Sequence, residues 1–304
     1  MLAEVFGYDD FRPGQGPAVA SLLSGKDTVV LLPTGGGKSL CYQVPALVLR
    51  RQGCGPAVVI SPLIALMRDQ VSALSARGVR AAALNSAQDE DDKREVVRAF
   101  LAEELDLLYV SPERAALPSF RRMLERVSVS LIAIDEAHCV SQWGHDFRPE
   151  YMRLGELRKH SKAPMIALTA TATPRVLDEV VSGLALSEPT RVTGSFQRPN
   201  LSFSVHHLRT EAQRIEALVA LLRESGFQGS KGLGRAMVYC STRKKTESVA
   251  QALKPSGFAA GHYHAGRTTL ARERAQRAFE LGRTRVLVAT NAFGMGIDFP
   301  DVRV

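Results

Sequence analysis

The sequence lacks any apolar run close to the roughly 20 residues that a transmembrane helix needs. Its start, Met1-Leu2-Ala3-Glu4-Val5, has an early acid and no basic segment of the kind that opens a secretory signal. Low-complexity tracts are absent, and 45% of the 304 residues are hydrophobic. These absences predict a globular, cytoplasmic protein of one or two domains without a membrane partner.

Cysteine is also scarce. The chain has four cysteines, Cys41, Cys54, Cys139 and Cys240. None is close enough to another to form a Cys-x-x-Cys metal clip, which predicts reduced, mostly buried thiols. His262 and His264 have an i, i+2 spacing that metal ligands can use, but no cysteine or carboxylate cluster joins them in the sequence. A structural role is therefore expected for both histidines.

Acidic residues become scarce in the last third of the chain. Residues 1–194 carry 22 Lys or Arg and 23 Asp or Glu, whereas residues 195–304 carry 17 and 8. A basic half indicates a polyanionic partner, with an ordinary solvated basic surface as the alternative.

Short, uniformly apolar segments recur along the chain, as expected for strands buried on both faces of a parallel sheet. They are residues 28–32, 57–60, 107–110, 131–134 and 165–168, followed later by 237–240 and 286–289. Segments with helical periodicity alternate with them, at residues 65–77, 89–104, 174–182, 244–254 and 268–281. This alternation predicts an α/β fold with two tandem parallel-sheet domains, residues 1–194 and 209–304, joined by a linker at 195–208.

A glycine-rich turn follows the first apolar segment. It consists of Thr34, Gly35, Gly36, Gly37, Lys38 and Ser39. Glycines let consecutive backbone N–H groups wrap phosphate oxygens closely, while Lys38 would reach the β- and γ-phosphates of ATP and Ser39 would bind Mg²⁺. Leu32 stands where the strict motif has its first glycine. The turn predicts a single ATP site, and a turn that binds nothing is the alternative.

Residues 131–134 run directly into an Asp-Glu-Ala-His box. A phosphate-loop enzyme needs a carboxylate at the end of a neighbouring strand to hold Mg²⁺, and Asp135 fits that role. Glu136 is placed to orient or deprotonate the attacking water. With Lys38, these acids form the predicted catalytic set.

The phosphate loop and the acidic box together resemble superfamily 2 helicases, and residues 139–151 (CVSQWGHDFRPEY) closely resemble the aromatic-rich loop of the RecQ family of DNA helicases. Further resembling stretches are residues 6–15, 61–70, 109–114, 167–173, 239–243, 263–266 and 289–298. The resemblance implies two RecA-like domains that face each other across a cleft containing ATP. It implies that Tyr8, Arg12 and Gln15 read adenine, that Asp298 approaches the ribose, and that His138 joins the catalytic set.

The resemblance also implies a row of DNA contacts. These are Ser61, Arg68, Ser111, Arg114, Trp143, His145, Phe147, Arg148, Thr169, Thr290 and Asn291. Trp143, Phe147 and Tyr151 offer rings for base stacking, which is worth roughly 1–3 kcal/mol per base. Thr169 and Thr171 are expected to link the catalytic strand to bound DNA. Closure of a small apolar cluster is the alternative for Trp143, and turn capping is the alternative for the threonines.

The expected function is that of a monomeric DNA helicase that uses ATP and Mg²⁺ on single strands and single-to-double-strand junctions. The resemblance alone implies 3′–5′ movement, and it implies a role in repair or recombination. A superfamily 2 RNA helicase or remodeller and an ATP-dependent DNA clamp remain alternatives. The family pattern continues beyond a stretch like residues 297–304 into an arginine-finger motif, a zinc-binding region and a winged helix. We therefore expect a fragment whose second domain is incomplete and whose unwinding is poor.

Overall fold

The computed structural model describes residues 1–143, 146–195, 200–227, 234–293, 299 and 301–304. The chain divides into two compact units, Met1–Arg198 and Pro199–Val304. Each unit contains a parallel sheet and helices, so the predicted α/β class is confirmed. Within the described ranges, no helix combines the length and the apolarity that crossing a bilayer requires.

Seven parallel strands form the sheet of the first unit. They are β1 (Thr28–Leu31), β2 (Ala57–Ile60), β3 (Ala81–Leu84), β4 (Leu107–Val110), β5 (Ile132–Ile134), β6 (Met165–Thr169) and β7 (Thr190–Thr193). Their order across the sheet is β3-β4-β2-β5-β6-β1-β7. Because all neighbouring pairs are parallel, the carboxyl ends of the strands lie along one edge.

Helices cover both faces of this sheet. They are α1 (Gln15–Leu23), α2 (Leu40–Arg51), α3 (Ile64–Ser75), α4 (Glu90–Leu101), α5 (Pro112–Ala115), α6 (Pro118–Leu124), α7 (Pro149–Met152) and α8 (Pro174–Gly183). Val58 and Ile60 join one core cluster, whereas Ala57 and Val59 join the cluster on the opposite face. Alternate residues of a strand point to opposite faces, and both faces are covered here. The uniformly apolar segments are therefore strands buried on both faces of a parallel sheet, as predicted.

The sequence patterns did not reveal β3 and β7. Strand β3 contains three alanines, which have low strand propensity, and only its last residue, Leu84, is fully buried. Strand β7 buries only Val192 and leaves polar neighbours on the open side. Both strands lie at the edges of the sheet. An edge strand packs on fewer neighbours, so its composition carries a weaker signal.

The second unit has a smaller sheet of three parallel strands. Its elements are α9 (Glu211–Glu224), β8 (Ala236–Tyr239), α10 (Arg243–Leu253), β9 (Ala260–Tyr263), α11 (Thr269–Glu280) and β10 (Val286–Ala289). The strand order is β8-β10-β9. The predicted helices at 244–254 and 268–281 are confirmed with small shifts at their ends. Strand β9 was not predicted, because its sequence, AGHY, is short, half-buried and mixed in character.

Candidate active site

The predicted catalytic residues meet at the carboxyl edge of the first sheet. Strands β1, β6 and β5 are neighbours, with Leu31 paired to Thr169 and Ile134 paired to Ala167. The glycine-rich turn follows β1, and Asp135 follows β5 directly. The carboxyl ends of parallel strands are where α/β proteins bind ligands.

The glycine-rich turn has the backbone shape that its sequence predicts. Gly35 and Gly37 adopt φ values of +75° and +72°, which residues other than glycine rarely adopt. The Nζ atom of Lys38 donates to the carbonyl oxygen of Leu32 at 3.4 Å, so the ammonium is folded over the turn. Leu32 itself is 2% exposed. The residue that departs from the strict motif is thus a core residue that precedes the turn.

Gln15 holds this turn from the neighbouring helix. Its side chain is buried, and its Nε2 donates to the carbonyl oxygens of Gly36 at 3.1 Å and Gly37 at 3.0 Å. Its Oε1 accepts from the backbone N–H of Arg12 at 2.9 Å, and the Arg12 guanidinium donates to the carbonyl of Gly35 at 2.6 Å. Both amide hydrogens of Gln15 are therefore engaged by the loop. Oε1 has a second lone pair, through which Gln15 would accept a hydrogen bond from the adenine amino group. This role stays a prediction.

The two acids of the box lie in different surroundings. Burial raises the pKa of Asp135 to about 7, the negative charge of Glu136 adds to the rise, and the charge of Lys38 opposes it. Lys38 is therefore close enough to Asp135 to act on its charge. The backbone N–H of Glu136 donates to Oδ1 of Asp135 at 3.0 Å. Glu136 has a left-handed backbone with φ of +48°, a conformation that costs energy in a glutamate and is common at functional sites.

Tyr151 has a different role from the predicted one. Its ring is completely buried, and its hydroxyl donates to the carbonyl oxygen of Asp135 at 2.9 Å. The interpretation of Tyr151 as a stacking surface for bases is therefore wrong. Tyr151 lies 16 residues after Asp135 in the chain, so the sequence did not reveal this contact with the backbone of the acidic box.

A chain of polar contacts leads from the box to β6. His138 Nδ1 lies 3.4 Å from Glu136 Oε2 and 2.9 Å from Thr169 Oγ1. The Thr169 hydroxyl donates to the carbonyl of Thr171 at 3.1 Å and accepts from its N–H at 3.2 Å. Thr169 is 1% exposed, so its hydroxyl faces His138 rather than a DNA surface. Thr169 therefore caps the turn at Thr171, which was the alternative for this residue, and it also contacts His138 of the acidic box.

The aromatic-rich loop begins immediately after this box. Trp143 is 67% exposed, which rules out closure of an apolar cluster as its role. The guanidinium carbon of Arg175 lies 4.2 Å from the centre of the indole ring. Ser141 donates to Glu179 at 2.6 Å and accepts from the N–H of Trp143 at 3.1 Å. Arg175 and Glu179, both on α8, were not singled out in the sequence, although their i, i+4 spacing is a signal of a charged helix face.

The other predicted nucleic-acid contacts are distributed unevenly. Ser61 and Ser111 are buried, and their hydroxyls have no hydrogen-bond partner among the described residues. Exposed or partly exposed are Tyr8, Thr34, Arg68, Arg114, Phe147 and Asn291. Arg148 pairs with Asp146 at 3.0 Å, and Thr290 is almost fully buried. His145 and Asp298 lie outside the described residues.

Residues 12–180, more than half of the chain, match the model of the DEAD/DEAH box helicase family. The chain belongs to this family. Residues 213–304 of this helicase-family chain match the helicase conserved C-terminal domain. The whole chain is 44% identical over 305 residues to the ATP-dependent DNA helicase RecQ of Pasteurella multocida. The predicted kinship with RecQ helicases is therefore confirmed. The chain spans less than half, 46%, of that relative's own length.

Solved helicase structures confirm the fold of this family member. The helicase MrfA bound to DNA superposes with a TM-score of 0.73 at 17% identity, over 98% of this chain and 42% of MrfA. Saccharomyces cerevisiae Dbp5 bound to RNA and ADP BeF3 superposes with a TM-score of 0.69 at 16% identity, over 99% of this chain and 76% of Dbp5. One neighbour holds DNA and the other RNA, so the fold alone does not select the nucleic acid.

Proposed function

We propose that this chain is the motor region of an ATP-dependent DNA helicase of the RecQ type that moves 3′ to 5′ along single-stranded DNA. The observation that carries the proposal is the direct connection between the acidic box and an exposed indole. Ser141 lies three positions after the buried His138, and Trp143 lies two positions further along the chain. A change at the nucleotide site therefore has a short, hydrogen-bonded route to a base-stacking ring.

The acidic edge supplies what ATP hydrolysis needs. Gly35, Gly36 and Gly37 would surround the phosphates with N–H groups, and Lys38 would neutralise their charge. Ser39 and Asp135 would hold Mg²⁺, which supplies positive charge to the phosphate oxygens when bound. Glu136, whose side chain is 28% exposed, remains accessible to accept a proton from the attacking water.

The exposed loop supplies the contact with DNA. Arg175 covers one face of the indole of Trp143, and the large exposed fraction leaves ring surface for a nucleobase. A base that stacks there would press on the segment that Ser141 anchors to Glu179. The movement would reach the acidic box through the backbone. Duplex unwinding, polarity and a role in repair or recombination are proposed for the longer proteins in which such a chain occurs.

The test compares ATP hydrolysis by the chain without nucleic acid, with single-stranded DNA and with single-stranded RNA. We expect DNA to stimulate hydrolysis more than RNA does. Trp143→Ala should keep ATP binding and basal turnover but lose most of the stimulation, since a stacked base contributes roughly 1–3 kcal/mol. Phe203→Ala is the matched control, because Phe203 is an exposed ring, 87% exposed, in the second unit.

Three outcomes would count against the proposal. Equal stimulation by RNA would favour an RNA helicase or remodeller. ATP binding without any turnover would favour a DNA clamp. An unchanged stimulation ratio in Trp143→Ala would remove the indole from the coupling route.

A further inference from the structure

Two histidines and a glutamate meet in the second unit, away from the residues assigned to ATP. The rings of His262 and His264 stack with centroids 5.7 Å apart and planes 20° apart. Glu247 reaches them from α10, and its Oε1 lies 2.9 Å from Nε2 of His264. The sequence showed no carboxylate or cysteine cluster beside the two histidines, and the fold supplies one carboxylate, Glu247, from α10. Helix packing brings in a residue that is 17 positions away from His264 in sequence.

The three side chains have the geometry of a metal ligand set. One ligand atom from each lies within 4.8 Å of the others, and no second such group of three occurs in the parts of the chain that the structure describes. The strand geometry explains why the two histidine rings lie together. His262 lies on β9 and His264 follows it, so alternation along the strand puts both rings on one face.

We propose that Glu247, His262 and His264 form a binding site for a divalent transition-metal cation of the Zn²⁺ class. Two imidazole nitrogens and a carboxylate oxygen suit a borderline cation of this kind, and three protein ligands leave a fourth position for water or an anion. Zinc bonds of about 2.0–2.2 Å imply ligand atoms roughly 3.4 Å apart in a tetrahedron. Bringing the ligand atoms from within 4.8 Å of one another to this spacing requires rotation of the exposed Glu247 side chain and of the half-exposed His262 ring.

His264 supplies a second observation that points to a ligand. His264 is only 4% exposed, and its Nδ1 atom is buried without a hydrogen-bond partner among the described residues. Buried polar atoms are usually satisfied, and an exception calls for an explanation, of which an ion or an ordered water is one. The protein alone therefore does not account for all the polar atoms of this cluster.

The surrounding charges set the expected strength of binding. A cavity of about 360 Å³ adjoins His262, and its charged lining consists of Lys254, Arg267 and Arg274. These cations oppose a bare metal ion, so we expect an affinity on the order of micromolar rather than nanomolar. They also favour an anion in the fourth position. When bound, the metal would fasten β9, an edge strand, to α10.

The test is a titration of the whole chain with Co²⁺, whose visible absorption reports a tetrahedral site, in the presence of excess Mg²⁺ to occupy the ATP pocket. We expect one Co²⁺ per chain, released by Zn²⁺. His262→Ala and Glu247→Gln should each weaken binding by at least about 10-fold, the usual scale for a lost metal partner. Both positions are at least partly exposed, so these variants should fold, which circular dichroism would check.

His206→Ala is the matched control, since His206 is an exposed histidine in the same unit. It should bind Co²⁺ as the unchanged chain does. The proposal is overturned if no saturable site of one Co²⁺ per chain appears, if His262→Ala and Glu247→Gln bind normally, or if His206→Ala weakens binding equally. None of these readouts depends on ATP hydrolysis, so the result is separate from the fate of the proposed motor function.

Discussion

Asp135 and Glu136 are adjacent in the chain, yet the fold gives them different chemistry. Asp135 is desolvated by burial, whereas Glu136 has a left-handed backbone and a side chain that is 28% exposed. Two neighbouring acids in different environments can take separate roles. A cation would favour the ionised form of Asp135, while Glu136 remains accessible to water.

Glu136→Gln should bind ATP normally and lose most hydrolysis. The amide has the same shape but cannot accept a proton, and general base catalysis contributes roughly 10²–10⁴-fold. The measurement is single-turnover hydrolysis together with nucleotide affinity. Glu188→Gln is the control, because Glu188 also has a positive φ, +41°, and is exposed beside β7. Normal turnover in Glu136→Gln would show that another group handles the water.

The raised pKa of Asp135 predicts a pH-dependent stability in the absence of nucleotide. Between the ordinary value of 3.8 and about 7, the folded chain holds a proton that the unfolded chain has released. The free energy of unfolding should therefore fall as pH rises through this window. Asp135→Asn should remove that part of the slope in denaturant titrations, and Asp69→Asn, at an exposed position, should not. The same slope in both variants would mean that Asp135 ionises normally.

At the scale of elements, α1 packs directly against the phosphate loop. A β-carbon at Gly37 would lie 2.3 Å from Nε2 of Gln15, whereas one at Gly25 would meet nothing within 4 Å. Both glycines have positive φ. The difference between them is therefore the contact between the helix and the loop.

Gly37→Ala should lower ATP affinity by at least about 10-fold and destabilise the chain more than Gly25→Ala does. Both changes carry the left-handed backbone cost of roughly 1–2 kcal/mol, but only the first displaces Gln15 from the loop. Isothermal titration with ATP and thermal unfolding of both variants would measure this. Equal losses in the two variants would mean that Gln15 does not support the loop.

Helix α8 and strand β6 act on the same segment from two sides. Thr169 at the end of β6 contacts His138, while Arg175 and Glu179 on α8 contact Trp143 and Ser141. The segment from the acidic box to the indole is thus held at both ends by neighbouring elements. This arrangement explains how a surface loop can keep a defined position next to the proposed catalytic site.

At the scale of the whole molecule, positive charge is concentrated in the second unit. Lys244 and Lys245 are exposed in the first turn of α10. Replacing both with Gln should weaken single-stranded DNA binding and reduce its salt dependence, since each lost phosphate contact lowers the slope by about 0.7. Fluorescence anisotropy over a range of salt concentrations would measure this.

Lys159→Gln, which removes an exposed charge from the first unit, should leave the salt slope unchanged. If the Lys244 and Lys245 variant retained the full slope, the basic surface of the second unit would be an ordinary solvated surface with no phosphate contacts.

The sequence by itself determined the α/β class, most of the buried strands and where the proposed nucleotide site should lie. The reason is local: a parallel strand buried on both faces is apolar throughout, and the loop at its end carries the functional residues. Asp135 and Glu136 follow such a strand directly, and Lys38 lies seven residues after the end of another. Their convergence follows once the strands are parallel.

Only the tertiary structure decided what lies beside those residues. Tyr151 turned inward to Asp135, Gln15 engaged the loop, Arg175 covered Trp143, and Glu247 joined the two histidines. These contacts depend on which face of a helix meets which strand. The edge strands β3, β7 and β9 were missed for a related reason, since incomplete burial leaves little trace in composition. Side-chain partnership is a property of packing, and packing joins residues that the sequence keeps apart.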